Sequence, residues 1–347
     1  MKKSLFLLFA WCIAVVATAQ QKARVYAVGF YNQENLFDTC HDAGKKDYDF
    51  LPSGSYKWDG LKYGHKLRNM ARALADMGTD VLPHVGCAVI GLSEVENRRV
   101  LEDLVQQQPL AERGYAFAHI EGPDRRGIDC ALLYNPQLFT KQTERLVPYV
   151  MREAKDSAFY TRGFFTVTGE LAGEPVAFIV CHLPSRFSGS SYREWGATQV
   201  RAVKDSLLAL NSTIKVMVMG DMNDDPTDNS MRQCLAAKAE VAQVGPQDMY
   251  NPWYNLLVKQ GTGTLQYRGA WNLFDQIILS PNLLNVPGTK DFSTLKFWKA
   301  RIQRMPYLFE TEGKYKGSPK RTTAGGVWLD GYSDHLPVCV YLVKTQK

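Results

Sequence analysis

The chain alternates short apolar runs with polar segments, and the lengths of the runs indicate which elements form. A short apolar run that is rich in Val, Ile and Phe and bounded by turn residues is typical of a β-strand. Such runs occur at residues 24–30, 87–92, 116–120, 128–134, 164–168, 175–181, 214–219, 274–279 and 337–343. The chain is therefore predicted to contain many short strands.

Three segments show the helical period instead. In the first, apolar residues recur every three or four positions and stop before Gly78, a residue type that commonly ends helices. Its apolar positions are Leu67, Met70, Ala71, Leu74 and Met77. The second predicted helix begins near Asn97, and the third covers residues 192–210 and ends at Asn211.

The order of these elements predicts the architecture. The first half reads strand, helix, strand, helix and then hairpins, whereas the second half reads hairpin, helix and strand and ends on strands. This order favours two mixed β-sheets packed face to face with helices outside, an α/β fold. No low-complexity linker or short repeat divides the chain, so residues 20–347 are predicted to form one domain. Residues 281–326 lack clear periodicity and predict long loops.

The amino terminus predicts export. Lys2 and Lys3 precede an apolar stretch at residues 5–17, and small residues follow up to Ala19. This pattern predicts a signal peptide at residues 1–19 and a mature protein in the periplasm or outside the cell. The apolar stretch is too short for a permanent span, so no stable membrane span is expected after cleavage. Lipid attachment at Cys12 is a further reading, which the bulky Trp11 disfavours.

Charge and cysteine content narrow the function only modestly. The chain has 41 Lys and Arg against 35 Asp and Glu, a net charge of +6. Loss of Lys2 and Lys3 with the signal lowers this by two. A mild positive charge permits binding to a polyanion without the concentrated basic face of many nucleic-acid-binding proteins. None of the seven cysteines stands in a C-x-x-C arrangement, which argues against structural zinc, and a disulfide stays open.

Residues with catalytic side chains stand at the ends of the apolar runs. Asp221 and Asn223 follow residues 214–219, Glu94 follows residues 87–92, and His182 follows residues 175–181. A carboxylate such as that of Glu94 is poorly solvated at a strand end unless it binds a cation, and hard cations such as Mg²⁺ prefer oxygen ligands. A divalent cation neutralises the charge that protects a phosphoester from attack. The pattern therefore predicts metal-assisted phosphoester hydrolysis.

Five short motifs, taken in order, resemble the endonuclease/exonuclease/phosphatase superfamily, which includes pancreatic DNase, abasic-site endonucleases, inositol polyphosphate phosphatases and neutral sphingomyelinases. They lie at residues 31–35, 91–94, 180–185, 220–223 and 333–335, and the resemblance extends from about residue 25 to residue 343. It implies a four-layer α/β sandwich, in which two packed mixed β-sheets are flanked by helices.

The resemblance also implies a metal site. Asn32, Glu34, Glu94 and Asp334 match the positions that surround the metal in this superfamily. The implied ion is Mg²⁺, with Mn²⁺ or Ca²⁺ as alternatives. Ser93 precedes Glu94 where many relatives carry Gln, a departure that keeps the ligand itself.

The catalytic roles that the resemblance implies fall on five residues. His335 matches the general base, because a neutral imidazole takes a proton from water near neutral pH, and Asp275 matches the acid that orients it. Asp221 and Asn223 match the residues that orient the nucleophilic water and the phosphate. His182 matches a second histidine that contacts a phosphate oxygen or assists the leaving group.

Basic residues outside these motifs are candidate substrate contacts. Arg126 opens a segment, Arg-Gly-Ile-Asp, that resembles one found in several exported members, and is predicted to bind phosphate through its planar fork. A plain surface ion pair fits Arg126 equally well. A basic loop before the last motif is a further candidate for phosphate contacts: Lys314, Lys316, Lys320 and Arg321.

The catalytic set does not identify the substrate, because the same constellation serves several phosphoesters. The leading prediction is an exported, monomeric phosphodiesterase that acts on nucleic acid. The alternative is a phosphatase or phospholipase, with aromatic residues at 249–254 and 297–298 in contact with lipid rather than packed in the core. A non-catalytic binding module would predict a broken catalytic set, and no core position is missing here.

Overall fold

The computed structural model describes residues 22–150 and 161–346, which hold seventeen β-strands and four α-helices. The strands are β1 (Ala23–Leu36), β2 (Cys87–Val95), β3 (Ala116–His119), β4 (Asp129–Tyr134), β5 (Phe139–Val147), β6 (Phe164–Leu171), β7 (Glu174–His182), β8 (Lys215–Asp221), β9 (Ala237–Lys238), β10 (Met249–Tyr250), β11 (Leu265–Tyr267), β12 (Ala270–Asn272), β13 (Asp275–Leu279), β14 (Lys296–Ile302), β15 (Thr323–Ala324), β16 (Val327–Trp328) and β17 (Val338–Thr345). The helices are α1 (Gly60–Asp76), α2 (Arg98–Val105), α3 (Ser190–Leu210) and α4 (Tyr254–Gln260). The predicted export signal lies outside the described residues.

Two large mixed sheets form the centre of the fold. The first has the strand order β14-β17-β1-β2-β4-β3, and the second has the order β5-β6-β7-β8-β13-β10-β9. Two small hairpins, β11–β12 and β15–β16, stand apart from them. In each large sheet the central pair is parallel, β1 with β2 and β7 with β8. The carboxyl ends of these four strands therefore deliver their side chains at matching edges.

Three apolar clusters hold the layers together. The central cluster lies between the sheets and includes Phe30 from β1 and Phe178 from β7. A second cluster packs α1 and α2 on the outer face of the first sheet, through residues such as Met70 and Leu101. A third packs α3 on the outer face of the second sheet. The predicted four-layer sandwich of two mixed sheets flanked by helices is confirmed.

Gly220 sets the position of the strand end that carries Asp221. A Cβ at this residue would clash with the carbonyl oxygen of Cys181 on β7, so only glycine lets β8 approach β7 this closely. The register of the parallel pair then places His182 directly beside Asp221. The Gly-Asp-x-Asn sequence is thus explained by strand packing as well as by chemistry.

The predicted helices and buried strands lie close to the positions that the structure gives them. Asn97 caps α2, because its Oδ1 accepts a hydrogen bond from the backbone N–H of Val100 at 3.1 Å, and Asn211 ends α3 as predicted. Helix α1 begins earlier than its apolar spacing indicated, at Gly60 after the capping residue Asp59. The missed strands β5 and β14 are edge strands with mostly half-exposed residues, so they carry no continuous apolar run.

The sequence also raised the questions of a membrane span and of a disulfide. No helix among the described residues is long and apolar enough to cross a membrane. The six cysteines of this part of the chain are free thiols, and the Sγ atoms of Cys87 and Cys339 lie 3.5 Å apart in the core. These two residues flank β1 on its two neighbouring strands, so about two strand spacings separate their backbones, more than a disulfide spans.

Candidate active site

The predicted site residues converge at one edge of the sandwich, where strand ends from both sheets meet. Strands β1 and β2 of the first sheet and β7, β8 and β13 of the second supply most of them, and the loops after β8 and before β17 supply the rest. The residues brought together are Asn32, Glu34, Glu94, His182, Asp221, Asn223, Asp275, Asp334 and His335. Motifs that are far apart in the sequence therefore form one cluster.

Asp221 lies at the centre of this cluster. Its Oδ2 accepts a hydrogen bond from Nδ2 of Asn32 at 3.0 Å, and it lies 3.6 Å from Nε2 of His182 and 3.7 Å from Nε2 of His335. Its Oδ1 accepts a hydrogen bond from the backbone N–H of Asn223 at 2.9 Å. Burial raises the pKa of Asp221 to about 6, against the opposing effect of His335.

Asp275 and His335 form a close pair. Oδ2 of Asp275 lies 2.7 Å from Nδ1 of His335, and the carboxylate is fully buried at the start of β13. The backbone N–H of His335 donates to Oγ of Ser333, which donates to the carbonyl oxygen of Asn32. The imidazole is thereby held by Asp275 and the backbone of His335 by Ser333, and Nε2 is left to face Asp221 at the centre of the cluster.

The two histidines differ in their tendency to hold a proton. Burial lowers the pKa of His182 well below its usual value, and the charges of Arg162 and Arg126 act in the same direction. Burial also lowers the pKa of His335, but Asp275 and Asp221 outweigh it and hold the pKa well above its usual range. At neutral pH, His182 is therefore the neutral imidazole, and His335 is the one that binds a proton readily.

Glu94 offers the oxygen atom best suited to a hard cation. Its Oε2 accepts a hydrogen bond from the backbone N–H of Asn35 at 2.9 Å. Its Oε1 has only long contacts, 3.4 Å from Nδ2 of Asn32 and 3.8 Å from Nε2 of His182. Among the described residues, no group of three or more His, Cys, Asp or Glu side chains is arranged to hold a metal. The carboxylate and amide oxygens fit the ligand class that Mg²⁺ requires.

Glu34 and Asp334 both contact Arg321, on the other side of the cluster. Nε of Arg321 lies 3.2 Å from Oε1 of Glu34, and Nη2 lies 3.1 Å from Oδ2 of Asp334. The backbone N–H of Thr322 donates to Oε2 of Glu34 at 2.7 Å. Burial, followed by the charge of Asp334, raises the pKa of Glu34 to about 7 against the opposing charges of Lys66 and Arg321.

Arg126 lies in the loop between β3 and β4, near His182 rather than within the cluster. Its side chain is half-exposed, and its Nε lies 3.8 Å from Oδ1 of Asp124. The same carboxylate accepts a hydrogen bond from Nη1 of the buried Arg162 at 3.1 Å, while Nη2 of Arg162 donates to the carbonyl oxygen of Leu183. Sequence analysis missed Arg162, because a lone arginine outside any motif gives no signal of burial.

The backbone at the site is strained in four places. Glu34, Asn35, Glu94 and Asn223 all have positive φ, between 44° and 60°, in a region that residues other than glycine rarely adopt. Such strain persists only where the surrounding structure enforces it, and it concentrates at functional sites. Nδ2 of Asn223 donates to the carbonyl oxygen of Leu183 at 3.0 Å, which helps to hold this conformation.

Comparisons with known proteins agree with this geometry. A model of the Endonuclease/Exonuclease/phosphatase family matches residues 27–344. A search of curated proteins found no match. Among solved structures, the chain resembles an endonuclease/exonuclease/phosphatase family protein from Bacteroides thetaiotaomicron, with 15% identity, a TM-score of 0.56, and coverage of 94% of this chain and 100% of that one.

Two further solved structures carry informative descriptions. One is the mannosyl-6-phosphatase Bt3783 of Bacteroides thetaiotaomicron VPI-5482, with 14% identity, a TM-score of 0.55, and coverage of 91% of this chain and 99% of that one. The other is D. rerio TDP2 in complex with a single-strand DNA product, with 13% identity, a TM-score of 0.51, and coverage of 92% and 98%. At these identities, the likeness establishes a common fold.

Proposed function

Since the chain belongs to the endonuclease/exonuclease/phosphatase family, we propose that it is an exported, Mg²⁺-dependent phosphodiesterase that acts on nucleic acid. The family and the convergence of its motif residues make it a metal-dependent phosphoesterase. The choice of ion, the export and the nucleic-acid substrate are the parts that we propose beyond this.

The observation that carries the proposal is the pair of unlike histidines on either side of Asp221. A hydrolase needs one group that takes a proton from water and another that donates a hydrogen bond to the phosphate or leaving group. His335 is suited to the first role, because its Nδ1 is bound to Asp275 and its Nε2 points inward. His182 is suited to the second, because it stays neutral and keeps a proton on one ring nitrogen.

The distances around Asp221 support a separate catalytic role for each of these residues. The gap of 3.7 Å between Nε2 of His335 and Oδ2 of Asp221 is too long for a direct hydrogen bond, and we infer that the nucleophilic water binds beside these two atoms. His335 takes the proton from that water, and Asp275 stabilises the imidazolium that forms. Asn223 and Asn32 keep the carboxylate of Asp221 in place.

Glu94 and Asn32 are the residues that would hold Mg²⁺, whereas Asp334 and Glu34, which the sequence also predicts as ligands, are bound by Arg321. When bound, a divalent cation neutralises phosphate charge and repels the proton on His335, which brings the pKa of that imidazole towards neutrality. Oε1 of Glu94 is the favoured atom, because its existing contacts are long.

The surface beside the cluster supports a nucleic-acid substrate. Phe187, in the loop that follows His182, is fully exposed at 104% of its reference area. The loop is nevertheless fixed, because Nη1 of Arg193 donates to the carbonyl oxygens of Ser185 and Ser188. A rigidly presented aromatic ring is suited to stack on a base. Arg126 and the exposed lysines of the basic loop supply positive charge: Lys314, Lys316 and the half-exposed Lys320.

A phosphatase or phospholipase with the same catalytic set is the second candidate, and the likeness to a mannosyl-6-phosphatase favours it over a binding module. The structure argues against the interpretation that the aromatic residues at 249–254 contact lipid. Trp253 is fully buried and its Nε1 donates to the carbonyl oxygen of Ile277 at 2.9 Å, so this ring belongs to the core. Trp298 is half-exposed on the edge strand β14.

A substrate panel tests the proposal. Purified protein would be incubated with single-strand DNA, plasmid DNA, RNA, sugar phosphates, inositol phosphates and sphingomyelin, each with Mg²⁺ and with EDTA. His335→Ala serves as the matched inactive control, because it removes the base without touching Glu94. Metal-dependent cleavage of a polynucleotide that exceeds turnover of the small phosphoesters is the expected result. Preference for a sugar phosphate or a lipid would move the assignment to the second candidate.

A further inference from the structure

We infer that Arg321 is a built-in counter-ion that limits this centre to one divalent cation. The inference rests on the proposed function, since it concerns the metal that the proposed reaction requires. It starts from an unexpected contact. Two of the four carboxylate or amide side chains predicted as metal ligands, those of Glu34 and Asp334, are bridged by a guanidinium group.

Arg321 forms close ion pairs with both acids. Nε of Arg321 is 3.2 Å from Oε1 of Glu34, and Nη2 is 3.1 Å from Oδ2 of Asp334, so one planar group binds both acids. Glu34 is almost completely buried, whereas Asp334 and Arg321 are partly exposed. An arginine keeps its charge at every physiological pH and presents its donors in a rigid fork. The position between these two acids is therefore permanently filled by a cation.

The segment that carries Arg321 is anchored to α1. Nζ of the buried Lys66 donates to Oγ1 of Thr322 and to the carbonyl oxygen of Tyr332, each at 2.6 Å. Nδ2 of Asn69 donates to the carbonyl oxygen of Gly331 at 2.8 Å. Arg321 is therefore held at the site by its neighbours on both sides and does not swing freely like a surface arginine.

The charges of the cluster are divided unevenly. On one side, Glu34 and Asp334 have two cations nearby, Arg321 and Lys66. On the other side, Glu94 and Asp221 lie beside the imidazoles of His182 and His335, and among the described residues neither acid forms an ion pair with Lys or Arg. A divalent cation is repelled from the side that Arg321 occupies and is favoured on the side without a permanent cation. One ion at Glu94 is the arrangement that these charges favour.

Metal stoichiometry tests the inference directly. Mn²⁺ binding to the purified protein would be titrated by electron paramagnetic resonance of the free ion and by equilibrium dialysis. We expect one Mn²⁺ per chain in the wild type and a second in Arg321→Met, because Glu34 and Asp334 lose their counter-ion. Binding of a second ion to the wild type should be at least about tenfold weaker than to Arg321→Met. Arg321→Gln, which keeps a hydrogen-bond donor, should also gain the second ion.

The matched control is Lys320→Met, which removes one positive charge from the residue next to Arg321 and leaves the ion pairs of Arg321 with both acids in place. It should keep a single ion. Near-ultraviolet circular dichroism confirms that each variant is folded. If Arg321→Met does not fold, the number of ions bound by Arg321→Gln tests the inference. Two ions in the wild type, or one ion of unchanged affinity in a folded Arg321→Gln, would overturn the role of Arg321 and leave the proposed function intact. A wild type that binds no ion would instead refute the metal-dependent reaction.

Discussion

The Asp275–His335 pair provides the sharpest test of the proposed chemistry, through the variants Asp275→Asn and His335→Ala. In the wild type, Oδ2 of Asp275 lies 2.7 Å from Nδ1 of His335, so Nδ1 carries the proton and Nε2 is left to accept one. An asparagine amide at this position would donate to Nδ1, which reverses the tautomer and leaves no lone pair at Nε2. General-base catalysis contributes roughly 10²- to 10⁴-fold to rate, so each variant should lose kcat by about that factor.

The magnitude of the coupling follows from the shared role. Because Asp275 acts only through His335, the double variant should lose no more than about the larger single loss, and the coupling free energy should be about 3–5 kcal/mol. The assay is single-turnover hydrolysis of a small phosphodiester with saturating Mg²⁺, with near-ultraviolet circular dichroism as the control for folding. Losses that simply multiply in the double variant would refute the pair as one unit.

Three further predictions address the metal ligand, the fold and the substrate. Glu94→Gln should lower kcat at least about 100-fold and weaken Mn²⁺ binding, measured by titration, because it removes the carboxylate proposed to hold the ion; normal turnover of this variant would exclude that role. Burial raises the pKa of Glu174, but hydrogen bonds from Lys215 and Lys344 outweigh it and leave the pKa below its usual value. Glu174→Gln should therefore lower the free energy of unfolding by about 3 kcal/mol near pH 7. Urea titrations should show the difference starting to shrink as the pH falls below about 4, where the unfolded carboxyl takes up a proton, and disappearing only below the lowered pKa of the folded carboxyl. Phe187→Ala should raise KM roughly tenfold for an oligonucleotide and leave it unchanged for a small phosphodiester, whereas Phe187→Trp should keep the affinity; equal effects on both substrates would rule out base stacking.

The strand-end residues of the site could be predicted because strand packing and chemistry impose the same sequence. Gly220 is required for close approach to β7, and the next residue, Asp221, emerges where the parallel strands end. Asp275 lies opposite Asp221 in the antiparallel register of β13 with β8, and the resemblance to the superfamily was what singled it out at the start of this apolar run. Where a residue is fixed by the period of a buried strand, the sequence is sufficient.

Residues that acquire their role through long-range packing could not be predicted in this way. Lys66 lies on α1 among residues of ordinary helical pattern, and it is buried only because the segment around Thr322 crosses it. Arg162 is likewise buried by its contact with Asp124 from a distant loop. The sequence placed Arg321 in a basic loop, and its bridge to Glu34 joins two residues that are 287 positions apart in the chain. A sequence alone does not show whether a charged residue is exposed to solvent or paired with an acid.

The charge distribution also indicates where substrate specificity must reside. The centre concentrates Glu34, Glu94, Asp221, Asp275 and Asp334 in a small volume, where burial first, and neighbouring carboxylates after it, raise the pKa values of Glu34 and Asp221. Such a centre suits a cation and a phosphate, which nucleotides, sugar phosphates and phospholipids all provide. Discrimination must therefore come from the loops around it, whose residues are free of the constraints of the buried strands. The fixed loop that presents a fully exposed aromatic ring is the most specific of these features, which is why the oligonucleotide, rather than a small ester, is the substrate that tests it.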